Sequence, residues 1–390
     1  MRIRQLESIL VDLPTIRAHR LANQTVTRLT LVVLRLRTDD GLEGLGEATT
    51  IGGLSYGEEA PETIKVVLDE YVAPLLVGQD AGAVGTLMAS LARQIRGNRL
   101  AKSAVETALL DLKGQFLGVP VSDLFGGART ETLEVAWGLA TGDPDADLAE
   151  AEEMLAEGRH RLFKIKVGAR DPNADVARVE AVIGAIGTRA RVRIDANQAW
   201  DEPVARRAIE RLEAAGVELI EQPVARHDHA ALARLSRRFS VPLMADEAVA
   251  TPADAFVLAQ ARACDVFALK IAKSGGLSAT AQVAAVAAAA GIQLYGGTML
   301  EGTIGTLASA HLFAALPQPL AYGTELFGPL LLQDDVVTER PAYADFALKV
   351  PRKPGLGVRL DEDKLASYRR DRRRTHVQVP ANAAERCGGS

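Results

Sequence analysis

Three acidic residues recur at nearly equal intervals: Asp195, Glu221 and Asp246, separated by steps of 26 and 25 residues. Each closes a short apolar run, in RVRID, ELIEQP and LMADE, and in the last Glu247 follows directly. Such a step holds about one strand and one helix, so the acids fall at equivalent places on successive strand–helix units. Carboxylates that converge at one barrel mouth repel each other unless a cation neutralises them. An all-oxygen donor set suits Mg²⁺ or Mn²⁺ and disfavours zinc or copper. Any one of these acids alone reads as an arginine partner or a helix cap. Their recurrence at matching strand ends favours shared ligation of one ion.

Lys164 and Lys166 lie two apart in FKIKVG. On a strand that spacing puts both on one face, here the barrel interior, with Phe163, Ile165 and Val167 turned to the helices. Lysine is seldom buried without a partner or a task. A second ammonium nearby should lower the pKa of Lys166 and suit it to acid–base work. Lys270 and Lys273 lie in VFALKIAK, and Lys270 is expected across the barrel from Lys166. The bland reading of each lysine is a counter-charge to the acids. Thr298, Met299 and Glu301 follow the seventh strand and precede a helix, whose first amides could face a substrate carboxylate. Glu301 reads equally as a helix-start acid with no chemical part.

The elements that must position these residues change character along the chain. Thr30–Arg37 and Leu42–Ala48 read as a hairpin around TDDG, and TTIGGLSYG as a loop. Helical patterns follow at Pro61–Leu76, Ala83–Gln94 and Ala101–Leu117, giving an α+β domain over 1–130. From about Glu131, short apolar runs alternate with helices: Leu133–Gly138, Arg161–Val167, Arg191–Ala196, Glu218–Gln222, Val241–Ala245, Val266–Ala272 and Ile292–Gly296. Seven such units favour a closed α/β barrel over 131–340. The segment 341–368 is expected to return to the first domain. The tail 369–390 opens with RRDRRR and reads as a solvated, disordered segment rather than an anion site.

Composition leaves a small-molecule substrate open. The 390 residues carry 45 basic and 50 acidic side chains, a net charge of −5 that offers no global attraction to nucleic acid or an anionic membrane. The cysteines, Cys264 and Cys387, make no disulfide framework and fit a reducing cytoplasm. The start MRIRQLESILVDLP lacks the apolar core of a signal peptide. The alanine-rich stretch Ala279–Ala290 is too short to cross a bilayer.

The motifs KIK, DAN, IEQP, ADE and LKIAKSGG resemble those of the enolase superfamily, in its muconate-lactonising (muconate cycloisomerase) subgroup. VDLPTIR, GEATTIGGLSYG, QLYGGTMLEGTIGTLASAH and GTELFGPLLL extend the likeness from about Ser8 to Leu365. The resemblance implies a modified TIM barrel of the β7α type, with an N-terminal α+β capping domain completed by the C-terminal segment. It implies Asp195, Glu221 and Asp246 as ligands of one Mn²⁺ or Mg²⁺, and Lys166, Lys164, Lys270 and Glu325 as catalytic residues. It places Ile51, Tyr56, Asn197, Phe327 and the loops Thr15–Leu21 and Thr49–Gly57 at the substrate. The implied reaction closes cis,cis-muconate to muconolactone in the catechol branch of aromatic catabolism. The implied partners are a small dicarboxylate and further copies of the chain, as a homo-octamer. Lys166 and Lys270 can exchange roles, because syn and anti addition take the proton from different faces. Chloromuconate cycloisomerase, dipeptide epimerase and succinylbenzoate synthase share the same machinery. A catalytically inactive binding barrel is the alternative of a different class.

Overall fold

The computed structural model describes residues 1–20, 25–55 and 57–370. Three antiparallel strands open the chain: β1 (Ile3–Arg20), β2 (Thr25–Thr38) and β3 (Glu43–Thr49). The expected hairpin is β2–β3, and β1 joins it as a third strand. The expected loop at Thr15–Leu21 is strand as far as Arg20, while Leu21 lies outside the described residues. A break in register separates Pro14 from His19. Proline cannot donate to a ladder and sits at such irregularities, which hides the strand from a pattern search.

The helix Arg99–Leu117 lies directly on β3. A side chain at Gly46 would put its first carbon 1.9 Å from the carbonyl oxygen of Ala104, so only glycine permits this approach. Gly118, at φ 71°, ends the helix in the left-handed conformation.

The expected run Leu133–Gly138 divides in two. β4 (Thr132–Glu134) leaves the barrel, and β5 (Trp137–Leu139) opens it. β6 (Leu162–Lys166), β7 (Arg191–Asp195), β8 (Ile220–Glu221), β9 (Leu243–Ala245), β10 (Val266–Leu269) and β11 (Gln293–Gly296) then add in chain order, each parallel to the last. Thr324 bridges Gly296 on one side and Val135 on the other, so it occupies the eighth place and closes the ring. Helices between strands bury Val176, Val179, Ile209 and Leu212 against outward residues such as Ile165 and Ile194. A separate inner cluster holds Leu219, Met244, Val266, Ala268 and Tyr295.

The chain then returns to the first domain. β12 (Tyr343–Ala344) pairs with β13 (Ala347–Lys349), and β13 with β4. Leu356 donates its amide to Asp111 at 2.8 Å, and Glu362 pairs with Arg35 at 2.6 Å. The final two described residues, expected in a solvated tail, are instead held. The Arg370 amide donates to the Leu10 carbonyl at 2.8 Å, and its guanidinium to Asp12 at 2.6 and 2.7 Å. Arg369 reaches Glu7 at 3.2 Å. Half-buried acids on the first domain hold these two arginines. The rest of the expected tail lies outside the described residues.

Candidate active site

The C-terminal ends of the parallel strands gather the sequence-predicted residues. Lys166 and Asp195 are register partners on β6 and β7, and Asp195 and Glu221 on β7 and β8. Lys166 Nζ stands 2.5 Å from Asp195 Oδ2 and donates to Asn197 Oδ1 at 3.2 Å. Asn197, at φ 40°, turns back so that its amide nitrogen donates to Glu247 Oε1 at 3.1 Å. Lys164 contacts Glu221 and lies 2.7 Å from Glu325 Oε2. Glu325 follows the closing residue Thr324, which brings it to the same mouth. Lys270 Nζ is 2.6 Å from Asp246 Oδ2, and Lys273 Nζ is 2.7 Å from Asp246 Oδ1.

The electrostatics follow from burial. Glu221 is driven well above the usual carboxylate range by burial, then by Asp195, Asp246 and Glu325, with Lys164 opposing. Burial also works against the Asp246 anion, but Lys270 and Lys273 outweigh it and hold this carboxyl well below its ordinary value. Lys166 departs from expectation. Burial and Lys164 do act to lower it, yet Asp195, Glu325 and Glu221 outweigh them and its net shift is upward. Lys164 alone would lower the pKa; the acids that other strands bring around Lys166 reverse the sign.

Among the described residues no three His, Cys, Asp or Glu side chains stand close enough together to hold an ion as placed, since ammonium groups lie against the acids. The donor set nevertheless fits a hard cation. Asp195, Glu221 and Asp246 act on one another by charge, are all oxygen donors, and are almost wholly buried. Among the described residues Glu221 Oε1 and Glu247 Oε2 are buried with no hydrogen-bond partner, a costly state that a cation would relieve.

The expected substrate turn takes a different form. Glu301 Oε2 accepts from the Met299 amide at 2.9 Å and from the Thr298 hydroxyl, closing the turn on itself. The helix Thr303–Ala315 does follow, but its first amides are already used. Gly302 and Gly305 donate to Glu47 on β3 at 2.7 and 3.1 Å, and Thr303 donates to Asp335 at 2.8 Å. This helix start therefore docks the cap rather than a substrate carboxylate. Met299 lines a cleft of about 680 Å³ between cap residues Glu59, Arg99 and Leu100 and barrel residues Glu247 and Lys273. Ile51 is buried beyond β3, and Tyr56 lies outside the described residues. Phe327 is buried against Trp137 and the cap residue His19, with ring centroids 5.2 and 6.2 Å apart.

Lys273, Glu47 and Tyr295 were not among the expected site residues. Lys273 was the legible one, lying three residues after Lys270 in LKIAKSGG, about one helical turn away. Nothing local marks Glu47, because its partners are more than 250 residues away in the chain.

A closed parallel barrel with acids and lysines at its mouth, under an α+β cap, defines an enzyme of the enolase class. The family described as mandelate racemase / muconate lactonizing enzyme, N-terminal domain, matches residues 6–126, and enolase C-terminal domain-like matches 146–364. The chain is 55% identical over 374 residues to muconate cycloisomerase 1-2 of Acinetobacter lwoffii, covering 96% of this chain and 97% of that protein. It is 46% identical to a chloromuconate cycloisomerase of Cupriavidus pinatubonensis, covering 95% and 100%. A crystal structure of muconate lactonizing enzyme from Pseudomonas fluorescens complexed with muconolactone superposes with a TM-score of 0.93 at 55% identity, over 95% of this chain and 99% of that one. The chain belongs to the muconate lactonizing enzyme family.

Proposed function

We propose that the chain catalyses the cycloisomerisation of cis,cis-muconate to muconolactone. The observation that carries this reading is the placement of Lys166 and Lys270 on opposite walls of a mouth floored by Asp195, Glu221 and Asp246. Four relatives named for muconate are 47–55% identical to this chain, and four named for chloromuconate are 44–46% identical.

One divalent cation, manganese or magnesium, held by Asp195, Glu221 and Asp246, would supply a positive charge beside the carboxylate that gains electron density. The rest falls to the chain. The distal substrate carboxylate forms a C–O bond to the conjugated double bond, and the displaced electron pair moves toward the other carboxylate. An ammonium proton from Lys166 completes the α-carbon, leaving a neutral amine that solvent reprotonates. Lys270 offers positive charge from the other face, and the two exchange parts if addition runs on the opposite face. Asn197 holds Lys166 by its carbonyl oxygen. Binding one molecule with both ends in ring-closing geometry lowers the barrier by orientation. Closure of the cap over the mouth would keep water from competing.

Homo-oligomeric assembly, an octamer by family likeness, is supported by exposed apolar side chains on the cap such as Tyr71 and Val66. A cytoplasmic setting is supported by the buried, unpaired Cys264. No helix among the described residues is long and apolar enough to cross a membrane.

Product analysis by NMR from cis,cis-muconate in D₂O with added Mn²⁺ tests the reading. The expected product is muconolactone with one deuterium at the α-carbon, on one face. Absence of lactone, or faster turnover of a chloromuconate or a dipeptide, would overturn it.

A further inference from the structure

Lys164 on β6 and Arg193 on β7 are register partners, and both side chains are fully buried. Like charges facing each other on neighbouring strands destabilise a sheet, and inside a barrel water does not screen them. The acids are divided between them. Lys164 takes Glu221 and Glu325, while Arg193 takes Glu218 at 2.6 Å and the Tyr322 carbonyl at 2.7 Å. One further surface meets both cations, the ring of Tyr295 on β11. Lys164 Nζ lies 5.1 Å from its centroid and Arg193 Cζ lies 5.0 Å from it.

Both distances fall within reach of a cation–π attraction, which gains strength when the pair is desolvated. Tyr295 is fully buried; its hydroxyl makes no well-aligned hydrogen bond among the described residues, although it lies near enough to Arg193 to interact with it. Toward Lys164 the residue offers its π-face, which balances cationic charge without adding another anion to a site already crowded with carboxylates.

We propose that Tyr295 is a positioning residue whose ring face holds the ammonium of Lys164 between Glu221 and Glu325 at the barrel mouth. Its effect on turnover rests on the function proposed above; its hold on Lys164 does not. Without the ring, Lys164 loses its third support, and the field that meets the substrate is no longer fixed.

Two measurements test this together. Steady-state rates with muconate are compared for wild type, Tyr295→Phe and Tyr295→Leu, and for phenylalanines with one, two and three ring fluorines placed at position 295. Fluorination empties the π-face while keeping the ring's shape. Tyr295→Leu should lower kcat about tenfold, the scale of a desolvated cation–π contact. Tyr295→Phe should recover most of that loss, and the fluorinated series should lose rate stepwise. In parallel, NMR of lysine-¹³C-labelled protein should show a ring-shifted ε-methylene signal that disappears in Lys164→Ala. That signal should persist in Tyr295→Phe and move in Tyr295→Leu. A flat fluorine series, or wild-type kcat in Tyr295→Leu, overturns the proposal in an active enzyme. A chain inactive on muconate that still shows the ring-dependent lysine signal refutes the proposed function and supports the hold on Lys164. An inactive chain with no such signal overturns both.

Discussion

Lys166 and Lys270 stand diametrically opposite in the barrel. β7, β8 and β9 separate them on one side, and β11, the Thr324 position and β5 separate them on the other. A flat conjugated substrate lying across the mouth thus presents one face to each ammonium. Lys166→Ala should cut kcat by roughly 10²–10⁴, the range for loss of a proton donor. Lys270→Ala should also be slow. The stereochemistry of deuterium in residual product then tells which face is protonated. Loss of the conjugated-diene absorbance reports the rate, and a Lys166→Ala enzyme running at half the wild-type speed would refute its role.

Asp195 sits between Lys166 and Glu221 in register, so its carboxylate serves both a lysine and the acid group. Asp195→Asn keeps the shape and removes the charge. Calorimetric titration with Mn²⁺ should show affinity reduced by at least about tenfold. A chelator should stop turnover in wild type, and added Mn²⁺ should restore it. An unchanged titration would remove Asp195 from the ligand set.

Glu47 joins the cap to the barrel through the amides of Gly302 and Gly305. Burial, with Asp335 and Glu301 beside it, pushes its carboxyl up to about 8 from 4.5, although the two amides work in the opposite direction. The folded chain therefore keeps this proton when the unfolded chain has lost it. Between about pH 4.5 and 8 this group makes stability fall as pH rises, by at most ~1.4 kcal/mol per unit. Glu47→Gln removes that component and should flatten the profile. Denaturant unfolding of both proteins at pH 5, 6.5 and 8 checks it, and parallel profiles would show that Glu47 titrates normally.

The barrel was legible because each strand is short, apolar and followed by a helix, a rhythm that local sequence carries. Its acids were legible because they recur at that same rhythm. β1 was obscured by Pro14 at a register break, and β4 because the run containing it serves two sheets. The pKa of Lys166 was misjudged because the sign depends on how many acids tertiary structure brings to it, not on its neighbour two residues away. Glu47 and Tyr295 stayed hidden for a related reason. Their partners lie on other strands or another domain, and nothing in their own segments distinguishes them from a surface glutamate and a core tyrosine.

Gly138 on β5 lies where cap and barrel pack closely. A methyl group there would lie 3.2 Å from His19 Cε1 on the cap and 3.3 Å from Phe327 Cζ on the barrel. Arg17 of the cap also donates to the Gly138 carbonyl at 2.9 Å, so the backbone is pinned and cannot retreat. Gly138→Ala should therefore destabilise by about 1–3 kcal/mol, the usual cost of overpacking. Phe327→Leu, which shortens the opposing side chain, should destabilise alone by leaving a void, yet cost less in the presence of Gly138→Ala. A double-mutant cycle by thermal or denaturant unfolding should give a favourable coupling above the ~0.3–0.5 kcal/mol expected for independent sites. Strict additivity would mean that the strain passes to His19 alone, and Phe327 would then have no part in fixing the cap against the barrel.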